Sequence, residues 1–334
     1  MLPTCSVPRS LQRLALLAGL CLALPACAEH YDDHPGATAF IDELVADDGF
    51  ERDSLEALFA RAERQESILE AIARPAEKTK PWHEYRAIFL TDRRIDEGIA
   101  FLAEHRETLA AAEADSGVPA AVIAAVLGVE TYYGRITGRY AVLDALSTLA
   151  FDYPPRSPFF RRELRHFLIL AREQGLDPSS LKGSYAGAMG YGQFMPSSYR
   201  SYAVDFDGDG LADIWNNPAD AIGSVANYLA RHGWRPGEPV AAPASLAAPV
   251  PDDWFDAGLK PERTVAELRA GGLVPARELP ADAPALALAL RGEAGPEYWL
   301  GLPNFYVITR YNHSALYAMA VYQLSERLAA VADA

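Results

Sequence analysis

Glu130 is the residue in this sequence best placed for proton-transfer chemistry. It is the only ionisable side chain in the run from Pro119 to Thr131, PAAVIAAVLGVET, and it sits at the end of that run. An apolar helix desolvates a carboxylate and so favours its protonated form. The negative end of the helix dipole pushes the same way. A carboxyl kept protonated near neutral pH is what a general acid requires. The plain alternative is a glutamate at a frayed helix end, facing water. Eight of the chain's sixteen tyrosines follow closely, at Tyr132, Tyr133, Tyr140, Tyr153, Tyr185, Tyr191, Tyr199 and Tyr202. Aromatic faces with polar tips suit sugar rings, although such a cluster also serves as core. The segment SYAGAMGYGQFMPSSY, residues 184–199, adds Gly187, Gly190 and Gly192. No G-K-[ST] follows, so it is not a phosphate-cradling loop. It reads either as a tight turn before a helix at Pro196, or as backbone approaching a ligand, with Ser184 and Gln193 as hydrogen-bonding groups.

A second cluster has metal-ligating character. In Asp205-Phe-Asp207-Gly-Asp209-Gly210-Leu-Ala-Asp213, aspartates fill positions one, three, five and nine of a calcium loop, and glycine fills six. Three adjacent carboxylates repel one another without a cation, and Ca2+ takes six to eight such oxygens. Position twelve holds Asn216 where a bidentate glutamate is usual. Asp213 or Asp220 is left to complete the site. The alternatives are a solvated acidic turn and, for Asp220, a first-turn acid beside a helix cap at Asn217. No serine-hydrolase elbow, zincin motif or dinucleotide fingerprint occurs in a fitting context. None of the seven histidines is assigned as a ligand, and no organic cofactor is indicated.

The elements that must position these groups are mainly helical. From Gly36 to Ser116 apolar residues recur at helical spacing, with Ile95, Ile99, Leu102 and Leu109 as the clearest stripe. Pro119 falls at the expected first position of the Glu130 helix, which Gly134 closes. Helices are expected over Phe159–Gly175, over Pro196–Ala203 and over Pro218–His232, the last with Asn217 as its cap and Gly233 as its stop. Residues 236–303 hold 11 of the 24 prolines, which argues against long helices there. Leucine at every second position from Ala285 to Leu290 suggests a strand. Asn304 to Leu328 is expected to be helical again.

The 334 residues carry a net charge of −15. That balance excludes a general nucleic-acid binder, whose affinity comes from basic residues displacing phosphate counterions. The longest apolar run falls short of a membrane span. It lies at the N-terminus, where Arg9 and Arg13, an apolar stretch Leu14–Leu24 and Ala26-Cys27-Ala28 have the order of an export signal. Leu24-Pro25-Ala26-Cys27 also resembles a lipobox, in which Cys27 would be acylated. Pro25 fits that site poorly, so soluble export is the first expectation and a lipid anchor at Cys27 the second. All three cysteines lie at or before Cys27, leaving none beyond for a disulfide, a nucleophile or zinc.

GVETYYG (128–134), SYAGAMGYGQFMPSSY (184–199), the DFDGDG loop, NYLARHGW (227–234) and RYNHSALYAMAVYQL (310–324) together resemble the membrane-bound lytic murein transglycosylase B family. The resemblance implies a lysozyme-like α+β core at 117–234 and 304–334, a helical domain at 36–116, a calcium loop at 205–220 and a small β insertion at 235–303. It implies a monomeric periplasmic enzyme of a Gram-negative bacterium, acting on peptidoglycan glycan strands alongside cell-wall synthesis or division proteins. Carried over residue by residue, the catalytic acid is Glu130. The sugar-site residues are Ser184, Gln193, Tyr228, Tyr311, Asn312 and Tyr317, and Arg156 contacts peptide or sugar. The calcium ligands are Asp205, Asp207, Asp209, the Leu211 carbonyl and Asp220. The implied reaction cuts the β-1,4 bond between N-acetylmuramic acid and N-acetylglucosamine and leaves a 1,6-anhydro end. A hydrolytic muramidase of the same fold, with Asp144 or Asp152 as second carboxylate, and a non-catalytic calcium-stabilised glycan binder are the alternatives.

Overall fold

The computed structural model describes residues 29–73 and 80–332. The expected export signal, with Cys27 and its expected cleavage sites, lies outside the described residues.

Described chain is packed from its first residues. The Glu29 carbonyl accepts from the Arg64 backbone N–H, and Tyr31 N–H donates to the Phe59 carbonyl. The Tyr31 ring is buried, and its hydroxyl donates to Asp152 at 2.5 Å. Among the described residues six helices follow: α1 (Pro35–Asp48), α2 (Arg52–Phe59), α3 (Glu66–Ile72), α4 (Trp82–Phe89), α5 (Asp92–Glu104) and α6 (Arg106–Ser116). His34 caps α1 through its ring nitrogen, and Thr91 caps α5 through its hydroxyl. The stripe read from α5 and α6 faces inward: Leu109 is fully buried, and Ile95, Ile99 and Leu102 pack against the core.

Next come α7 (Ala120–Thr131), β1 (Tyr140–Ala141), α8 (Val142–Phe151), α9 (Ser157–Glu173), β2 (Lys182–Gly183), α10 (Pro196–Tyr202) and α11 (Pro218–Arg231). The short β1–β2 ladder is antiparallel and pairs Tyr140 with Gly183. It has too few residues for a periodicity signal. Pro119 precedes α7 as its N-cap, with φ −56° and ψ 138°, one position earlier than the sequence suggested. Asn217 caps α11 by accepting from the Ala219 N–H, and Gly233 follows with φ +92°. Nine of the twelve residues of α7 are buried. A helix apolar all round has to be enclosed, and α7 is packed by α5, α6, α11 and α14 (Ala315–Ala332). Among the described residues no single helix is long and apolar enough to cross a membrane.

Between α11 and the last two helices lies a five-stranded antiparallel sheet. It contains β3 (Ala241–Leu246), β4 (Arg263–Thr264), α12 (Val265–Ala270), β5 (Leu273–Pro275), β6 (Pro284–Arg291) and β7 (Pro296–Gly301), in spatial order β4-β6-β7-β3-β5. The expected strand over 285–290 is β6, but it is not half-exposed. Leu286, Leu288 and Leu290 join the main core, while Ala285 and Ala287 join a second cluster with Val265, Leu268, Leu273 and Leu300. Glu297 on β7 ties the sheet to α4 by accepting from the Trp82 indole at 3.1 Å and pairing with Arg86 at 3.4 Å.

The C-terminal stretch is two helices, α13 (Pro303–Tyr311) and α14, rather than one. Asn312 breaks them with an extended backbone, φ −138° and ψ 124°. The Ser314 hydroxyl then accepts from the Tyr317 N–H in the first turn of α14.

Candidate active site

Glu130 is half-buried in the last turn of α7. The helix does not stop at a glycine, as expected from Gly134, but at two tyrosines in the left-handed region. Tyr132 has φ +56° and Tyr133 φ +59°, with Gly134 following at φ +85°. Such backbone costs roughly 1–3 kcal/mol per residue and persists only where surroundings enforce it. Here they do. The Tyr133 side chain fills the space over Gly98 and Gly128, where an added Cβ would lie 2.2 Å from its hydroxyl and 2.7 Å from its ring. Its hydroxyl donates to the Arg94 carbonyl at 3.0 Å. The Arg94 guanidinium lies 4.6 Å from the Tyr132 ring centroid. At Gly134 a Cβ would come within 2.3 Å of the Tyr191 ring, so the turn is closed against the glycine-rich loop.

One element bonds the carboxyl directly, and two more are tied in around it. From α14, the Tyr317 hydroxyl donates to Glu130 Oε1 at 2.6 Å. From α13, Tyr311 stacks parallel to Tyr317, 6.4 Å between centroids, and donates its hydroxyl to the Gly192 carbonyl at 2.6 Å. Burial, reinforced by the Glu130 charge, holds both phenols well above the usual tyrosine range. They remain donors throughout the neutral pH range. From the glycine-rich loop, Gln193 donates its side-chain amide to the Thr137 and Gly190 carbonyls, both at 3.0 Å. It does so from a left-handed backbone, φ +49°. Both of these bonds use the amide nitrogen and leave the amide oxygen out of them.

The other expected residues fall as follows. The Ser184 hydroxyl accepts from the Ala186 and Ala188 N–H groups, which closes the turn and keeps its own proton for donation. Tyr228 is buried. It donates to the Arg310 carbonyl and packs on Tyr311 at 4.7 Å, so it supports the tyrosine pair. The half-buried side chain of Asn312 sits at the α13–α14 break. Arg156 lies in a 3-10 turn, Pro154–Arg156, with its guanidinium 4.5 Å from the Phe159 ring and 5.1 Å from Phe160.

Asp144 and Asp152, the first two carboxyls after Glu130 in the sequence, face the N-terminal segment. Asp144 accepts from the Glu63 N–H at 3.0 Å, and burial raises its pKa. Asp152 holds Tyr31 and lies 3.7 Å from Arg64. Two contacts that join the elements of the site escaped sequence reasoning. Buried Thr131 donates to the Tyr191 carbonyl at 2.7 Å. Buried Glu163 on α9 accepts from the Ser197 N–H and hydroxyl, which fixes the start of α10. Neither has a local pattern that a sequence alone displays.

In the acidic loop, one carboxylate oxygen from each of Asp205, Asp207 and Asp209 lies within 4.8 Å of the others. The loop is already turned to present them. Asp205 accepts from Gly208, Asp209 and Gly210 N–H groups, and Gly208 and Gly210 have φ +79° and +100°. This all-oxygen donor set fits a hard cation such as Ca2+. The Leu211 carbonyl accepts from the Asp213 N–H. Asp213 itself caps the turn at Trp215 and Asn216. Asp220 is fully buried beneath the loop and accepts from the Phe206 and Asp213 N–H groups at 2.8 and 2.7 Å. Burial raises its pKa, and the charges of Asp207 and Asp205 add to this.

The profile of the transglycosylase SLT domain matches residues 32–326. The chain is 45% identical over 309 residues to membrane-bound lytic murein transglycosylase B of Escherichia coli (strain K12), covering 90% of this chain and 84% of that protein. Its fold is similar to the catenated lytic transglycosylase SltB1 of Pseudomonas aeruginosa, with a TM-score of 0.86, 54% identity, and coverage of 90% of this chain and 99% of that one. It is similar also to the Escherichia coli lytic transglycosylase SLT35 in complex with calcium, with a TM-score of 0.83, 44% identity, and coverage of 91% and 96%.

Proposed function

Because the chain belongs to the transglycosylase SLT domain family, we propose that it is a lytic murein transglycosylase with Glu130 as its single acid–base residue. The carrying observation is the tyrosine-held carboxyl at the end of α7, with the neighbouring acids Asp144 and Asp152 engaged elsewhere. Glu130 in its acid form gives its proton to the glycosidic oxygen between N-acetylmuramic acid and N-acetylglucosamine. The C1–O bond breaks, and the positive charge at C1 is shared with the ring oxygen and the substrate's acetamido group. Ionised Glu130 then takes the proton of the muramic C6 hydroxyl as O6 bonds to C1. The 1,6-anhydro ring closes, Glu130 is protonated again and no water is consumed. Ordinary glycosidases need a second carboxylate for this half of the cycle.

Tyr317 orients the carboxyl. Ser184 donates and Gln193 accepts hydrogen bonds from sugar substituents, with Asn312 beside them, and Tyr228 and Tyr311 form the apolar wall. Arg156 reaches the peptide or an outer sugar. Asp205, Asp207, Asp209, the Leu211 carbonyl and Asp220 hold a calcium ion. The ion neutralises the loop and takes no part in proton transfer. The N-terminal signal places the enzyme in the periplasm, on glycan strands.

Glu130→Gln keeps shape and hydrogen bonding but has no proton to transfer. It is expected to abolish cleavage of sacculi, since acid–base catalysis contributes at least ~10²–10⁴-fold, while retaining glycan binding. Mass spectrometry of wild-type digests should show anhydro ends. Activity of the Gln variant within a few-fold of wild type would remove Glu130 from its role, and reducing ends would identify a hydrolase instead.

A further inference from the structure

We propose that Thr131 is a positioning residue, whose hydroxyl locks the Glu130 end of α7 to the glycine-rich loop and thereby sets where the carboxyl meets the glycosidic oxygen. The proposal rests on Glu130 being the acid. A threonine inside a helix ordinarily turns its hydroxyl back to the carbonyl four residues earlier. That contact exists here at 3.3 Å to Leu127, but the bond to the Tyr191 carbonyl is shorter, 2.7 Å, and crosses 60 residues. A hydroxyl has one proton to give, so the geometry directs it out of the helix to Tyr191. The same oxygen accepts from the Gly134 N–H at 3.0 Å, closing the left-handed turn of Tyr132 and Tyr133.

Tyr191 is itself fixed on both sides. Its N–H donates to the Ile214 carbonyl at 2.9 Å, and the next carbonyl, Gly192, accepts from Tyr311. Thr131 is 1% exposed, so no water replaces its bonds. Glu130 is its immediate neighbour in the chain, and Gln193 lies two residues beyond Tyr191. One hydroxyl therefore registers the acid against the groups proposed to hold the sugar. A misplacement of about 1 Å at a catalytic group can cost roughly 100-fold in rate.

Thr131→Val keeps the shape and removes the hydroxyl. Turnover by the folded Val variant on defined glycan strands should fall at least about 30-fold, with KM within about threefold, and Thr131→Ser should restore turnover to within about threefold of wild type. Thr131→Ala leaves room for a water at the two stranded backbone groups and carries the same expectation if the Val variant does not fold. Wild-type turnover in the Val or Ala variant overturns the proposal. So does a Ser variant no better than Val or Ala, or a loss shared equally between turnover and KM. Glu130→Gln assayed in parallel separates the two claims, because retained activity there defeats the acid assignment, whatever Thr131 does.

Discussion

At the scale of single residues, the proposed division of labour predicts graded losses. Ser184→Ala and Gln193→Ala each remove one or two hydrogen bonds to substrate, worth ~1–3 kcal/mol apiece. Both should fall well short of the Glu130→Gln defect when initial rates on purified glycan are compared. Equality of either with Glu130→Gln would overturn the division. Ser184 must also lose part of its own turn, because its oxygen accepts from Ala186 and Ala188. Much of this was legible in the chain. Glu130 announced itself as a lone charge in an apolar run, and the aspartate spacing announced the acidic loop. What stayed hidden was connectivity. Nothing local to Tyr317 reveals that it reaches a carboxyl 187 residues earlier. Nothing near Glu163 or Thr131 reveals that each ties one part of the glycine-rich segment to a helix.

At the scale of elements, α11 carries a pH-sensitive end. His232 follows its last turn, stacks on Tyr228 with centroids 4.1 Å apart, and meets the Tyr228 carbonyl at 2.7 Å. Burial lowers its pKa, with Arg310 adding, against the hydrogen bond to Tyr228. The folded state therefore prefers neutral His232. This stabilisation is present above the unfolded histidine pKa of ~6.5 and is lost as pH falls through the lower folded value. Melting temperature should decline as pH falls from ~6.5 toward that lower folded value, and His232→Gln should flatten part of the decline. An unchanged slope would show that His232 carries no share. The existence of α9–α11 was readable in the sequence, and the cap and stop of α11 were readable from Asn217 and Gly233. The α13–α14 break was not, because Asn312 interrupts an otherwise continuous apolar pattern without proline or glycine. Nor was the end of α7, where tertiary packing forces tyrosines into a conformation that local preference assigns to glycine.

At the scale of the whole molecule, the acidic loop joins the glycine-rich segment to α11, so its order bears on both sides of the site. A cation bound only by the folded state stabilises it by RT ln(1 + [L]/Kd), about 2.7 kcal/mol at 100-fold over Kd. It would also relieve the cost of Asp220 buried near two other carboxylates. Chelation should lower the melting temperature, added calcium should restore it, and Asp207→Ala should abolish the response. A curve indifferent to both, on protein shown to be metal-free, would make the loop an acidic turn. The sheet between α11 and α13 was visible as a proline-rich change of composition. Its five-strand order was not, since pairing between β3 and β7 depends on residues more than fifty apart.

The docking of Glu29 and Tyr31 onto Phe59, Arg64 and Asp152 would also limit how far an anchored form of the enzyme could reach. Only Ala28 separates Cys27 from this docked backbone, a reach of at most about 7 Å over two residue steps. A chain acylated at Cys27 would have no leash. Its body would sit against the leaflet, and its working radius would be its own dimensions. A chain released by cleavage after Ala28 would diffuse through the whole murein layer. Inserting about twenty Gly/Ser residues after Ala28 adds a coil of roughly 25 Å. That insertion should widen the zone of glycan cut by an anchored form and leave a soluble form unchanged, so the address of the N-terminus becomes readable from where the wall is cut.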